Sequence, residues 1–169
     1  MKRTVLLAAA MVWFAAVSPV DAHYFLGNDS VDSGEIRYED NTGYDTEKSH
    51  AVNSWNAYEP IDVEPDDPWH VQDLRWNTHN DCNDTWAGLW VPSSGSDDIY
   101  LNQCTFDNAD PVYTQFQRSG TAAHELGHAL GLAHNTGQSN QLMYMCSRCS
   151  GFNTPQSHDV QDYHELWGF

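Results

Sequence analysis

The chain has 169 residues, with 7 Lys or Arg against 24 Asp or Glu and a formal net charge of −17 at pH 7. This length predicts a single domain, and the negative charge excludes nucleic acids and anionic membranes as partners because both would repel it. The 7 Trp and 8 Tyr residues argue against a disordered chain, so we interpret most of the acidity as a solvated surface.

Residues 1–22 have the layout of a secretory signal peptide. A basic start is followed by an almost wholly apolar run at residues 4–17 and by a small-residue site that ends at Ala22. We predict cleavage after Ala22. The alternative is a membrane anchor, for which the apolar run is short. The expected mature chain, residues 23–169, is one secreted, extracellular domain that is a monomer and has no contact with a membrane.

The rest of the chain contains short segments typical of strands and helices. Three single strands are expected, at residues 36–38, 61–63 and 71–76. Residues 86–91 and 98–102 flank a segment rich in Ser, Pro and Gly, and this pattern predicts a β-hairpin. Three helices are expected, at residues 46–58, at residues 110 to about 131, and from Thr154-Pro155 onward.

Four cysteines in an exported chain predict disulfide bonds, and four cysteines allow three pairings. The predicted hairpin favours one of them. If its strands pair around the turn at residues 92–96, Cys82 lies opposite Cys104 to within a residue or two. We therefore expect a Cys82–Cys104 bridge, which leaves Cys146 with Cys149. The alternative for the last two, half of a metal knuckle or a redox pair, lacks a second CxxC motif.

The segment HELGHALGLAH, which begins at His124, contains the residues with the clearest chemistry. His124 and His128 are four residues apart, hence on one face of a helix, where both imidazoles can bind one metal ion. Glu125 lies beside them and can take a proton from a metal-activated water. Gly131 can adopt a positive φ and turn the chain, so that His134 becomes a third ligand. The alternative is that these histidines are surface residues of a helix.

This segment is the metzincin zinc-peptidase signature HExxHxxGxxH. Leu142-Met143-Tyr144 further along is similar to the Met-turn of those enzymes. Within the metzincins, the chain most resembles the matrixin (matrix metalloproteinase-like, peptidase M10A) family, over residues 36–168. The resemblance implies an α+β, zincin-like catalytic domain with a twisted five-stranded mixed sheet, three helices, an active-site cleft and the Met-turn.

The same resemblance implies roles for individual segments. Met143 would form an apolar floor beneath the zinc without binding it. The edge strand at residues 86–91 would bind the substrate as an added strand. Residues 144–152 would border the pocket for the side chain that follows the scissile bond.

The sequence also departs from the matrixin pattern. No cysteine-switch segment lies between the predicted signal peptide and Ile36, so latency by that mechanism is not expected. Met145 stands where matrixins have proline, and the extra tyrosine ligand of astacin-like enzymes is absent. Neither His70 nor His79 reproduces the structural-zinc pattern, so we expect one catalytic Zn²⁺. Three acidic clusters are candidates for structural Ca²⁺ or for solvated loops, at residues 62–67, 80–84 and 107–110.

The sequence therefore predicts a secreted zinc-dependent endopeptidase (EC 3.4.24.-) that acts on proteins or peptides. A zinc-activated water would attack the scissile carbonyl, with Glu125 as the general base. One alternative is a non-enzymatic, secreted zinc-binding module, against which Glu125 argues because it is not needed as a ligand. The other is a metzincin peptidase of another family, because Asn135 after the third histidine is not diagnostic.

Overall fold

The computed structural model of the protein describes residues 25–168. The predicted signal peptide lies outside the described residues. Within them, one five-stranded mixed sheet has the spatial order β2-β1-β3-β5-β4. The strands are β1 (Glu35–Asn41), β2 (Asp62–Pro65), β3 (Leu74–His79), β4 (Gly88–Val91) and β5 (Asp97–Asn102). All neighbouring strands are parallel except β4, which lies antiparallel to β5 at one edge. The α+β fold class is thus confirmed.

Three long helices in this part of the chain match the predicted ones, and two short helices were not predicted. The helices are α1 (Asp45–Trp55), α2 (Gln103–Asn108), α3 (Gln115–Ala129), α4 (Ser147–Ser150) and α5 (Ser157–Trp167). With 6 and 4 residues, α2 and α4 are too short to display a helical periodicity in the sequence. None of the helices within residues 25–168 has both the length and the apolar character needed to span a bilayer.

Several predicted boundaries were wrong. The strand predicted at residues 71–76 begins only at Leu74, because Val71 is 84% exposed whereas Leu74 and Trp76 are fully buried in the sheet. The long helix begins at Gln115 rather than Asp110. Its start is set by Thr114, whose side chain accepts a hydrogen bond from the Gln117 main-chain N–H in a reciprocal capping box.

The hydrophobic core lies between the sheet and helices α1 and α3. Trp55 of α1 is fully buried, and its indole N–H donates to the carbonyl oxygen of Ala123 in α3 over 2.8 Å. The ring of Tyr163 from α5 packs on Trp55 with the centroids 5.6 Å apart. Its hydroxyl accepts a hydrogen bond from the Ile61 N–H over 3.0 Å. Helix α3 is therefore held from several sides and provides a rigid base for the residues it carries.

Two disulfide bonds are present, Cys82–Cys104 and Cys146–Cys149, with Cα atoms 5.2 Å and 5.1 Å apart. They are the two pairings that the hairpin register predicted. The first joins the segment before β4 to α2, and the second encloses most of α4. The first bond therefore restrains the segment between β3 and β4, and the second restrains the segment at α4.

Candidate active site

The three histidines of the HExxHxxGxxH segment meet at one point. His124 and His128 lie one turn apart on α3, and His134 lies beyond the helix end. The Nε2 atom of His134 is 3.0 Å from Nε2 of His124 and 3.1 Å from Nε2 of His128. His124 and His128 are 3% and 9% exposed, whereas His134 is exposed. The structure thus brings together the three ligands predicted from the sequence.

Gly131 makes the turn that allows this convergence. Helix α3 ends at Ala129, and the Gly131 N–H donates to the carbonyl oxygen of His128. Gly131 has φ +89°, a left-handed conformation that side-chain-bearing residues rarely adopt. A Cβ atom here would lie 2.8 Å from Cδ2 of Leu166. Glycine is therefore needed both for the backbone angle that redirects the chain toward His134 and for the packing against α5.

The second ring nitrogen of two histidines is held by the main chain. Nδ1 of His124 lies 2.8 Å from the carbonyl oxygen of Leu142, and Nδ1 of His128 lies 2.7 Å from that of Leu132. Because a carbonyl oxygen only accepts, Nδ1 carries the hydrogen and Nε2 keeps its lone pair. Burial lowers the pKa of His124 well below its usual value and lowers the pKa of His128 to about 4. The imidazoles are thus neutral and oriented for a metal ion.

This donor set fits zinc. Three neutral imidazoles are a common ligand set for this ion, which binds nitrogen at 2.0–2.1 Å in tetrahedral geometry. Such a geometry separates neighbouring ligand atoms by roughly 3.3 Å, close to the 3.0 Å and 3.1 Å between the Nε2 atoms. Without a cation, three lone pairs at these distances would repel one another. The site therefore has the chemistry and the spacing of a three-histidine zinc centre with a fourth position open.

Glu125 points toward the edge strand from the same helix. Its Oε2 accepts a hydrogen bond from the main-chain N–H of Trp90 in β4 over 2.9 Å. The side chain is 6% exposed, and burial raises the pKa of its carboxyl to about 8, an effect that the Trp90 hydrogen bond opposes. A Cβ atom on Gly88 would lie 2.7 Å from Cγ of Glu125. The absence of a side chain at Gly88 therefore lets β4 approach the glutamate.

The segment around Met143 forms a tight turn beneath the histidines. The main-chain N–H groups of Leu142 and Met143 donate to the two carboxylate oxygens of Asp159, over 2.7 Å and 3.0 Å. The Asn135 N–H donates to the carbonyl oxygen of Met143 over 2.7 Å. Met143 is 2% exposed and packs against Gly127, where a Cβ atom would collide with its sulfur. No pattern in the sequence around Asp159 indicated that it anchors this turn.

An open cleft of about 570 Å³ lies in front of the histidines and Glu125. One wall is the edge-strand region from Trp86 to Trp90, and the other contains Tyr113 together with the segment from Met145 to Arg148. The part of the second wall from Met145 to Arg148 lies within the residues 144–152 that the resemblance assigned to a substrate pocket. Tyr113 was missed because nothing in its local sequence indicates that the loop before α3 folds toward the cleft.

One further group of potential ligands occurs among residues 25–168. Ligand atoms of His79, Asp81 and Asp84 lie within 4.8 Å of one another, and His79 Nε2 is 2.7 Å from an oxygen of Asp84. The group belongs to the acidic cluster expected at residues 80–84. His70 instead pairs with Asp67 over 2.8 Å. Within the described residues, the acidic clusters at 62–67 and 107–110 do not form a group of three potential metal ligands.

Solved structures that resemble the chain include two with low sequence identity. A chain of "GM1 bound form of the ECX AB5 holotoxin" aligns with a TM-score of 0.60 and 17% identity, over 79% of this chain and 80% of that one. High choriolytic enzyme 1 (HCE-1), a hatching enzyme zinc-protease from Oryzias latipes (Medaka fish), aligns with a TM-score of 0.41 and 17% identity, over 75% and 55%. The first likeness concerns the fold alone, and the second is too loose to support a conclusion. No curated protein matches the chain.

The family comparison covers nearly the whole chain. A sequence model of the family described as Matrixin (Peptidase_M10) matches residues 14–168. These residues include the HExxHxxGxxH segment, the turn at Met143 and the edge strand. The chain belongs to the matrixin family of zinc-dependent metalloproteases.

Proposed function

We propose that the protein is a secreted zinc endopeptidase in which one Zn²⁺ is held by His124, His128 and His134, and Glu125 is the general base. The observation that carries this proposal is the convergence of three neutral imidazoles with a buried glutamate at one open cleft. An edge strand runs along the same cleft. The rest of the proposal follows from what each of these groups can do chemically.

A bound Zn²⁺ would supply a Lewis acid that lowers the pKa of water and polarises the scissile carbonyl. Glu125 takes a proton from the attacking water and delivers it to the nitrogen of the leaving amine. The Trp90 N–H engages Oε2, so Oε1 is the oxygen that accepts this proton. Burial raises the pKa of Glu125 to about 8 in the metal-free protein, and a cation bound beside it would lower that pKa, which leaves the carboxylate form that accepts a proton near neutral pH.

The substrate binds along β4 as an added strand. One side of β4 pairs with β5, and the other side is an edge at which a further strand can pair with the main-chain groups other than the Trp90 N–H, which donates to Glu125. Two apolar side chains of β4, Leu89 and Val91, are exposed, at 38% and 37%. A peptide in extended conformation along this edge would pass the histidines and Glu125. This arrangement favours unfolded or loop segments of proteins as substrates.

Secretion is supported by the disulfide bonds, which persist in oxidising compartments. It also agrees with the basic and apolar pattern of residues 1–22. A non-enzymatic zinc-binding module is the rival function. Such a module would gain nothing from Glu125, since burial of a carboxyl that binds no metal is unfavourable. The glutamate therefore favours the enzyme.

The test is digestion of a proteome-derived peptide library by the mature protein loaded with one equivalent of zinc. Mass spectrometry would identify new termini within peptides, before and after addition of a zinc chelator. We expect internal cleavages that stop with the chelator and return with added zinc. Stoichiometric zinc binding without any cleavage would contradict the endopeptidase and support the binding module.

A further inference from the structure

Arg148 differs from every other cationic side chain in the described residues. Five Lys or Arg residues occur within residues 25–168. Four of them form ion pairs with carboxylates: Arg37 with Glu35, Lys48 with Asp40, Arg75 with Asp98, and Arg118 with Glu47. Arg148 forms no ion pair with any carboxylate in this part of the chain. The chain has 24 acidic and 7 basic residues, so carboxylates greatly outnumber cationic side chains. An arginine without a carboxylate partner is therefore unexpected and needs a physical explanation.

The surroundings of Arg148 orient its guanidinium without neutralising it. The guanidinium carbon lies over the ring of Tyr113, 4.5 Å from its centroid, in a cation–π contact. One terminal nitrogen donates to the carbonyl oxygen of Pro111. Guanidinium has five N–H donors, so the others remain for a ligand. Pro111 and Tyr113 both belong to the loop before α3. This loop therefore fixes the direction in which the guanidinium group of Arg148 points.

The segment that carries Arg148 is also restrained. The Cys146–Cys149 disulfide encloses it, and the hydroxyl of Ser147 lies 3.2 Å from the hydroxyl of Thr121 in α3. Thr121 precedes Glu125 by one helical turn on the same helix. The position of Arg148 relative to the active site is therefore set by a covalent bond and by a direct contact with the helix that bears the catalytic residues.

Arg148 lines the same cleft as Glu125, His128 and His134. The side chain is half-buried, so that water screens it less than it would an exposed charge. A planar guanidinium binds a carboxylate through two parallel N–H···O bonds. This geometry and the opposite charges favour a carboxylate over a neutral group as its ligand. The missing carboxylate partner can therefore be supplied by a ligand that enters the cleft.

We infer that Arg148 is a specificity-determining residue that selects a peptide substrate with an Asp or Glu side chain close to the scissile bond. This inference rests on the proposed peptidase function and deepens it. The net charge of −17 repels substrates that carry many acidic groups. The preferred substrate thus has one carboxylate at the position that Arg148 reaches, with neutral or basic residues around it.

The test uses short fluorogenic peptides that are cleaved by the zinc-loaded protein and have neutral flanks. Asp is placed in turn at each of three positions on either side of the scissile bond, and Asn is placed there in a matched set. We expect one position at which Asp gives about tenfold higher kcat/KM than Asn, as a charge-assisted pair provides. This preference should decline with added salt.

Four variants assign the preference to Arg148. Arg148→Gln should lose the preference for Asp, measured as the ratio of kcat/KM for the Asp and Asn peptides within the variant, whereas Arg148→Lys should keep part of it. Arg148→Glu should prefer Lys at the same position. Arg75→Gln, which removes a paired arginine outside the cleft, is the matched control and should keep the wild-type preference. Turnover of the Asn peptide by each variant demonstrates that it is folded.

The outcomes separate this inference from the proposed function. If wild-type protein with bound zinc cleaves no peptide, the peptidase function fails. If it cleaves peptides but shows no position with an Asp preference, or if Arg148→Gln keeps that preference, the inference about Arg148 is wrong and the peptidase function stands. A purely structural Arg148 would lower activity toward the Asp and Asn peptides equally, which also overturns the inference.

Discussion

The main-chain N–H of Trp90 donates a hydrogen bond to Oε2 of Glu125 over 2.9 Å. This bond joins the edge strand, along which we propose the substrate binds, to the residue that we propose as the general base. It fixes the carboxylate relative to both the histidines on α3 and the strand. The precision of the active site therefore depends on how closely β4 approaches α3.

Gly88 sets this distance. Replacing Gly88 by Ala would place a Cβ atom 2.6 Å from Cγ2 of Thr121 and 2.7 Å from both Cγ and Oε1 of Glu125. We expect Gly88→Ala to reduce kcat by about tenfold or more, since small displacements of a catalytic group are costly, while zinc stays bound. Gly95→Ala is the matched control, because a Cβ there meets nothing within 4 Å. Unchanged kcat in Gly88→Ala, measured with a peptide substrate, would contradict this role.

Asp159 anchors the turn beneath the metal centre. Its carboxylate accepts hydrogen bonds from the main-chain N–H groups of Leu142 and Met143, and the side chain is 1% exposed. We expect Asp159→Ala to lower the free energy of unfolding by about 2 kcal/mol or more, because two buried N–H groups lose their acceptor. Urea denaturation measures this change. The exposed Asp66 provides the control substitution Asp66→Ala, and an equal effect in both variants would refute the anchoring role.

The same variant should also weaken zinc binding. Nδ1 of His124 is held by the carbonyl oxygen of Leu142, which lies in the turn that Asp159 anchors. A displaced turn would release this imidazole, and loss of such an outer partner typically lowers metal affinity by about tenfold or more. Competition with a chromophoric chelator measures the dissociation constant. A folded Asp159→Ala protein with wild-type zinc affinity would show that the orientation of His124 does not depend on this turn.

The pH dependence of zinc binding reflects the buried histidines. Burial lowers the pKa of His124 and His134, and lowers the pKa of His128 to about 4. At pH 5.5 the imidazoles of His124 and His128 are mainly neutral in the metal-free protein, so zinc displaces few protons from these two. Burial raises the pKa of Glu125 to about 8, so this carboxyl is protonated at pH 5.5 and loses its proton when a cation binds beside it.

We therefore expect zinc binding at pH 5.5 to release about one proton from Glu125 and few from His124 and His128, whereas three imidazoles with the ordinary pKa of about 6.5 would release nearly three. Calorimetry of zinc binding in buffers with different ionisation enthalpies counts these protons. In Glu125→Gln the count should fall by about one. Release of nearly three protons by either protein would mean that the histidines titrate as exposed groups do.

The metal ligands could be predicted from the sequence because their geometry is local. A spacing of four residues places His124 and His128 on one helix face, and a single glycine at residue 131 provides the turn to His134. The disulfide pairing followed from the register of one hairpin. Each of these predictions needed only the geometry of one helix, one turn or one strand pair.

The contacts that complete the active site join residues that are far apart in the chain. No local sequence pattern therefore indicates them. Trp90 and Glu125 are 35 residues apart, and Arg148 contacts Tyr113, which precedes it by a whole helix, within one wall of the cleft. The apolar Val71 suggested a strand but is 84% exposed, because the pairing of Leu74 and Trp76, and not the apolar character of the segment, decides where β3 begins. Packing between elements therefore sets the start of β3 and the contacts of the active site, neither of which sequence periodicity predicted.

The most direct test of the account replaces Glu125 by Gln, with Glu125→Ala as a second variant. Zinc content by elemental analysis and cleavage of one peptide substrate are measured for each variant and for the wild type. We expect about one zinc per chain in all three proteins, because Glu125 is not a ligand. We expect kcat/KM to fall by about 10²–10⁴-fold in both variants, the range for loss of a general base. Undiminished cleavage by either zinc-loaded variant would contradict the proposed mechanism.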